Sequence, residues 1–288
     1  SCWISNRETV SAGVRTHHTR LEPLLEDLRR YARDGTVPEV APPSPIRIES
    51  GAPAKLDRRQ IRHIVAVMSG KGGVGKSLVS GLLAITLRRI GLDIGILDAD
   101  ITGPSIPKMF GISGRVPIFK DHHIDPGVSS TGIKIMSMNL LLEREDIGVT
   151  WRGPIVSQSI KQFYGEVTWG SLDYLVVDLP PGTSDAPMTV LQSLPVDGVI
   201  LVTTPQSLAG MVVSKAIKMV RKLEAPILGI VENMAYVELP GRSEVFEPFG
   251  PSRSVDLVGE SGAPLLGRLP IDPRIASLCD AGMIERYE

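Results

Sequence analysis

The stretch Ser69-Gly-Lys-Gly-Gly-Val-Gly-Lys-Ser77 decides the fold of this chain. It follows an apolar run, His63-Ile-Val-Ala-Val-Met68, that reads as a buried strand. It leads into Leu78-Val-Ser-Gly-Leu-Leu-Ala-Ile-Thr-Leu-Arg88, which reads as a helix. Gly70, Gly75, Lys76 and Ser77 satisfy the pattern G-x-x-x-x-G-K-[ST] in the strand–loop–helix setting that gives it meaning. Gly70, Gly72, Gly73 and Gly75 let the loop, Val74 included, turn its N–H groups around phosphate oxygens. The helix N-terminus adds partial positive charge. Lys76 offers a point charge to the β- and γ-phosphates of a nucleotide, and Ser77 offers its hydroxyl to Mg²⁺.

A second lysine, Lys71, follows the first glycine. Phosphate binding alone does not need it. A cation there sits beside the phosphates and is placed to reach a neighbouring subunit's nucleotide. In this the loop resembles the deviant loop of the MinD/ParA/nitrogenase-iron-protein group. That resemblance implies a dimer in which the lysine crosses the interface to the partner's ATP.

The bulk composition is that of an ordinary globular chain. Of 288 residues, 42% are hydrophobic and 22% charged, with a net charge of −1, which suits one large α/β domain with an appendage. Near-neutral charge gives no support for nucleic-acid binding. No apolar run approaches the ~18–20 residues of a membrane span. Residues 1–20 are polar and lack the apolar core of a secretory signal. Two cysteines, Cys2 and Cys279, make no disulfide framework and point to a reducing cytoplasm.

Outward from the loop, the chain divides into four parts. Residues 1–18 carry little signal and read as a flexible N-terminal segment. In 19–35, Leu21, Leu24, Leu25, Leu28, Tyr31 and Ala32 recur at helical spacing, with Thr19 and Glu22 resembling a capping box. Such an amphipathic helix cannot bury its own stripe and is expected to dock on the main domain or on a partner. Residues 36–60 are proline-rich, with five prolines between Val37 and Pro53, and read as a linker. Residues 61–288 form the phosphate-loop domain. Apolar runs at 63–68, 94–97, 173–177, 198–202, 226–231 and 265–269 predict strands. Amphipathic stretches at 77–90, 153–164, 207–223 and 272–279 predict helices. Their alternation predicts an α/β, P-loop NTPase fold: a mainly parallel, twisted sheet with helices on both faces and ligands at the carboxyl ends of the strands. Residues 116–138 predict short strands in a hairpin excursion.

Two strand ends supply carboxylates. The second run closes as Ile96-Leu-Asp-Ala-Asp100, so Asp98 and Asp100 sit where the phosphate loop opens and are suited to ordering a Mg²⁺ water and an attacking water. The third closes on Asp178, followed by the stiff turn Pro180-Pro181-Gly182. An acid there holds Mg²⁺ directly or through water, and the turn is placed to sense the γ-phosphate.

Taken together, Asp98-Ala-Asp-Ile-Thr-Gly-Pro-Ser-Ile-Pro107, Trp151-Arg-Gly-Pro154, Asp178-Leu-Pro-Pro-Gly-Thr-Ser-Asp185, Thr203-Thr-Pro-Gln206 and Val231-Glu-Asn-Met234 resemble the Mrp/ApbC family. These are ATPases that assemble and carry iron–sulfur clusters. The resemblance runs from about Ile61 to Gly282. It implies a cytoplasmic, homodimeric ATP hydrolase of slow turnover, with ATP and Mg²⁺ as cofactors and iron–sulfur client or scaffold proteins as partners. It also implies that Asn233 and residues near Pro270 frame the adenine.

The chain departs from the family at two places. Leu78 stands where a hydroxyl residue is frequent. Members that bridge a cluster carry Cys-x-x-Cys a few residues after the Asn-Met pair, whereas this chain reads Asn233-Met-Ala-Tyr-Val-Glu-Leu-Pro-Gly-Arg242. By the proline register, Leu239 and Arg242 occupy the cysteine positions, and neither supplies the thiolate that iron needs. Cys279, in a predicted helix, reads as a small apolar residue and is otherwise the candidate iron ligand. The pairs His17-His18 and His122-His123 are poor chelates, since neighbours in a strand point to opposite faces.

The residues predict a Mg–ATP switch, and the resemblance implies that it is dimeric. Lys71, Lys76, Asp98, Asp100 and Asp178 are the candidate catalytic residues, and Ser77, Asp100 and Asp178 the candidate Mg²⁺ residues. Two alternatives remain open: a regulatory or scaffold ATPase of the same family that has lost the cluster, and a MinD/ParA-like positioning ATPase. No membrane or nucleic-acid partner is expected.

Overall fold

Among the described residues nine strands form one sheet, and the apolar runs of the sequence make its centre. The structure is a computed structural model that describes residues 60–100, 103, 105–113, 124–137, 140, 153–183, 185–239, 241, 244–252 and 254–288. The proposed N-terminal segment and amphipathic helix, and the linker as far as residue 59, lie outside the described residues, as do both histidine pairs. The strands are β1 (Ile61–Ser69), β2 (Ile94–Asp98), β3 (Gly127–Val128), β4 (Lys134–Ser137), β5 (Leu172–Asp178), β6 (Gly198–Thr203), β7 (Ile227–Glu238), β8 (Val245–Phe246) and β9 (Leu265–Pro270). They lie in the order β3-β4-β2-β5-β1-β6-β7-β8, with β9 also paired to β7. The pairs β3–β4 and β7–β8 are antiparallel; the rest are parallel.

The helices are α1 (Lys76–Arg89), α2 (Ile106–Met109), α3 (Gly153–Glu166), α4 (Asp185–Ser193), α5 (Ser207–Lys222), α6 (Ser254–Ser261) and α7 (Pro273–Asp280), followed by a 3₁₀ turn at Ile284–Arg286. They cover both faces. On one face Phe163, Tyr164, Val190, Ile217 and Leu257 from α3 to α6 pack on Ile64, Ala66 and Leu175 of the sheet. On the other Val79, Ile85, Met109 and Ile275 from α1, α2 and α7 pack on Val65, Val67, Ile96 and Ile200. No helix of the described residues is long and apolar enough to cross a membrane.

All six expected strands and all four expected helices are present. Three differences have local causes. The expected hairpin excursion is half right: β3 and β4 are antiparallel, but β4 also pairs in parallel with β2 and so belongs to the main sheet. Three short helices, α2, α4 and α6, do not stand out in the sequence. With four to nine residues they show at most about two and a half turns of a helical period. Lastly, β7 continues to Glu238, well past the expected end at 231. Met234 adopts φ 56 there, and the register with β9 shifts between Glu232 and Tyr236, which interrupts the alternation a strand would show.

Candidate functional site

The site is built at the carboxyl ends of β1, β2 and β5. Strand register places Asp98 of β2 and Val67 of β1 on either side of Asp178. Because β1 ends two residues later, the loop 70–75 crosses directly above these acids before α1 begins. Its backbone takes the left-handed conformation at Gly73 (φ 77) and Gly75 (φ 81), where side chains are disfavoured. A Cβ on Gly70 would lie 2.7 Å from the backbone of Val212 in α5, and one on Gly75 would lie 2.1 Å from Asn233 Nδ2. Gly72 and Gly73 have open space where a Cβ would point. The loop is thus wedged between α5 and Asn233 at its ends and left clear in its middle.

Lys76 and Ser77 open α1, and both converge on Asp178. Lys76 Nζ lies 2.8 Å from Asp178 Oδ2 and 3.7 Å from Asp100 Oδ2. Ser77 Oγ donates to Asp178 Oδ2 at 2.5 Å. The other oxygen, Oδ1, accepts from Ser80 Oγ at 2.7 Å. Asp178 is fully buried, so this charge depends on its partners. Ser80 was not among the residues expected in the site. Its signal is a serine one turn beyond Ser77 on the same face of an otherwise apolar helix.

Asp98 has a different setting. Its Oδ1 accepts from the backbone N–H of Asp100, and its Oδ2 accepts from that of Ile106 and from Ser137 Oγ. The carboxyl ties both ends of the segment after β2 to β4. Burial, together with the nearby charges of Asp178 and Asp100 and against the pull of Lys76, pushes its pKa up to about 8. Asp98 therefore combines a place in the acidic group with the anchoring of the adjoining loop.

Two further contacts set the loop's position. Asn233 Nδ2 donates to Val74 O at 2.8 Å, which bolts β7 to the phosphate loop. The positive φ of Met234 turns the chain directly after it. The backbone N–H of Gly182, at φ 90, donates to Ser69 O, so the Pro180-Pro181-Gly182 turn is laced to the root of the same loop. Pro270 closes β9 opposite Tyr236 of β7, three residues beyond Asn233. Lys71 stands apart: its Nζ donates to Gln206 Oε1 at 3.0 Å, on the exposed side of the loop. Gln206 is a second residue the sequence reading did not place in the site, although the Thr203-Thr-Pro-Gln206 motif contains it.

The donor set suits Mg²⁺ held together with phosphates. Among the described residues, no group of three or more His, Cys, Asp or Glu side chains is arranged to hold a metal. Magnesium generally takes one or two protein oxygens and completes its shell with water and phosphate. The Ser77 hydroxyl beside the Asp178 carboxylate, under a glycine loop with open space in its middle, fits that description.

Among the described residues no cysteine pair marks an iron site. Leu239 lies one residue beyond β7, and Arg242 lies outside the described residues. Cys279 is half-buried on α7, where it packs against the core beside Leu278. Burial and the neighbouring Asp280 push its thiol up from the ordinary range, which disfavours the thiolate.

Residues 60–287 match the family described as ParA, NUBPL iron-transfer P-loop NTPase. An iron-sulfur cluster carrier protein from Saccharolobus solfataricus is 42% identical over 229 residues, covering 79% of this chain and 77% of the relative. A nucleotide-binding protein from Archaeoglobus fulgidus, solved in complex with ADP, is 42% identical and has a TM-score of 0.71 over 80% of this chain and 90% of its own. The MinC:MinD cell division complex of Aquifex aeolicus has a TM-score of 0.57 at 16% identity, over 76% of this chain and 86% of its own, and shares the fold.

Proposed function

Since this chain belongs to the NUBPL-type iron-transfer P-loop NTPases of the ParA class, we propose that it is a homodimeric Mg–ATP switch for iron–sulfur cluster transfer whose cargo is held largely by thiolates of a partner protein. The observation that carries the nucleotide half is the convergence of Lys76, Ser77 and Ser80 on the buried Asp178 beneath a glycine loop. The cargo half rests on the family, on the relatives named as cluster carriers, and on the cysteine content of this chain.

In this reading the N–H groups of 71–77 cradle the phosphates, and Lys76 moves its charge from Asp178 towards the β- and γ-oxygens. Ser77, Asp100 and Asp178 would hold Mg²⁺, directly or through water, and the ion would neutralise charge on those oxygens. Asp98 orients the attacking water, and Lys71 stabilises charge on the γ-phosphate of the partner subunit's ATP. Asn233 and the turn at Pro270 frame the adenine. Because Gly182 and Asp98 are bonded to the two loops that flank the phosphates, hydrolysis would shift both loops and the dimer contact with them.

A second reading is favoured by the missing cysteine pair: a regulatory ATPase of the same family that transfers no cluster. Calorimetric titration with ATP, with and without Mg²⁺, tests the shared nucleotide half. Binding strengthened by Mg²⁺ and lost in Lys76→Ala is expected; equal binding by the variant would contradict it. Mixing with apo-clients under argon separates the two readings, since only the first transfers iron to a client when a thiol-bearing scaffold is present.

A further inference from the structure

One face of the sheet carries an uncovered strip that runs diagonally from the amino-terminal part of β1 and β5 to the level of Met68 on β9. It lies on the α1 and α7 side. Its first members are His63 of β1 and Tyr174 of β5, cross-strand neighbours whose rings stack with centroids 4.9 Å apart. His63 remains 50% exposed. The next members come from two irregularities further along the strands, about two residues apart in level. The register of β6 with β7 shifts between Val199 and Ile200, and that of β7 with β9 shifts between Ile230 and Val231. The extra residues are Leu228 and Leu266.

Each of these leucines lies over a glycine. Leu228 side-chain atoms come within 2.5 Å of where a Cβ on Gly198 would sit, and those of Leu266 within 2.4 Å of a Cβ on Gly229. Gly198 precedes Ile200 by two residues, and Gly229 is the partner of Ile200. Since alternate residues share a face, both leucines lie on the side where Ile200 packs with Val65 and Val67. Each fills a notch left by a glycine, yet Leu228 stays 39% and Leu266 51% exposed. Exposed apolar side chains gathered on one face in this way mark a surface for a partner segment.

The chain preceding β1 supplies a cover of matching size. It meets the described residues at Gln60, three positions before His63, and so arrives at the edge of the strip. The strip crosses β5, β1, β6, β7 and β9, ~19 Å across at ~4.8 Å per strand, and rises ~17 Å along them, a diagonal of ~25 Å. A helix over 19–35 is ~25 Å long, and its stripe from Leu21 to Ala32 covers ~16 Å of that. The connecting residues 36–59 span up to ~80 Å when extended, so reach is no obstacle. A second copy of the chain is a poorer candidate, because it would leave the stripe of 19–35 without a surface of its own. We infer that residues 19–35 dock as an amphipathic helix on the strip formed by His63, Tyr174, Leu228 and Leu266.

The test is made in the full-length chain. Leu24→Asp/Leu28→Asp breaks the stripe without touching the sheet. Hydrogen exchange at 227–229 and 265–267 is expected to rise about threefold or more in this variant, while exchange at 70–77 and nucleotide affinity stay as in the parent. In a Cys2→Ser/Cys279→Ser background, Leu28→Cys and Leu266→Cys are expected to be joined by a short bismaleimide into a product of single-chain mass. Unchanged exchange overturns the inference whatever the cross-link shows. A cross-linked product of twice the chain mass also overturns it, because the strip then belongs to a second copy.

Discussion

Lys76 Nζ lies 2.8 Å from Asp178 Oδ2, so the first turn of α1 and the last residue of β5 are joined by a buried ion pair. The pair explains how a lysine that is only 6% exposed keeps its place beneath the phosphate loop. It also means that the residue proposed to meet the phosphates has a defined position before they arrive. Truncating one member of such a pair leaves the other buried and uncompensated.

Ser80→Ala should show how far Asp178 depends on its hydroxyl partners. The change leaves Oδ1 without the 2.7 Å bond. We expect a stability loss of about 1–3 kcal/mol, the usual cost of an unsatisfied buried acceptor. Urea denaturation with an unchanged slope measures it. Stability equal to the parent would mean that the serine does not hold the carboxylate.

Lys71→Ala should leave ATP binding intact while weakening ATP-dependent dimerisation and turnover, since the charge is proposed to act on the partner's γ-phosphate. Gln206→Glu should act in the same direction for another reason. A carboxylate in place of the amide that now sits 3.0 Å from Lys71 Nζ would hold the ammonium more strongly on its own subunit. Light scattering and phosphate release decide both. Normal turnover that is first order in protein would contradict a cross-interface role.

Glu285 gives a pH signature unrelated to the nucleotide. Burial would raise its pKa, but hydrogen bonds from Ser130, Thr131 and Ser129 outweigh it and hold the carboxyl below its usual value. A depressed carboxylate stabilises the fold above its unfolded pKa, and that contribution is lost as pH falls through the folded value. Glu285→Gln should therefore lower the melting temperature most near neutral pH, with the gap to the parent closing below about pH 4. A gap independent of pH would contradict the sign.

Much of this site is legible in the sequence because its chemistry is tied to backbone geometry. The loop 69–77 needs its glycines, and a strand that ends in Asp178 beside it has few other places to point. Ser80 and Gln206 were harder to see. Their partners, Asp178 and Lys71, are 98 and 135 positions away in sequence, so the helix-face position of Ser80 and the motif position of Gln206 do not by themselves name the partner. The long β7 was hidden for a related reason: Met234 reverses its backbone handedness within the strand, and the apolar alternation breaks there.

Iron content tests the cargo half. A four-iron cluster bridging two subunits symmetrically needs two thiolates from each, and the loop after Asn233 offers none. Purified protein reconstituted without oxygen and then desalted should keep little iron, and a cysteine-bearing partner should restore it. About four irons per dimer that disappear in Cys279→Ser would make that cysteine a ligand and reverse the assignment.

The most direct measurement is steady-state phosphate release from ATP by the wild-type chain and Lys76→Ala, with and without Mg²⁺. The account predicts slow release that requires Mg²⁺, rises more than linearly with protein concentration, and falls to background in the variant. Release by the variant at the wild-type rate, or release indifferent to Mg²⁺, would contradict it.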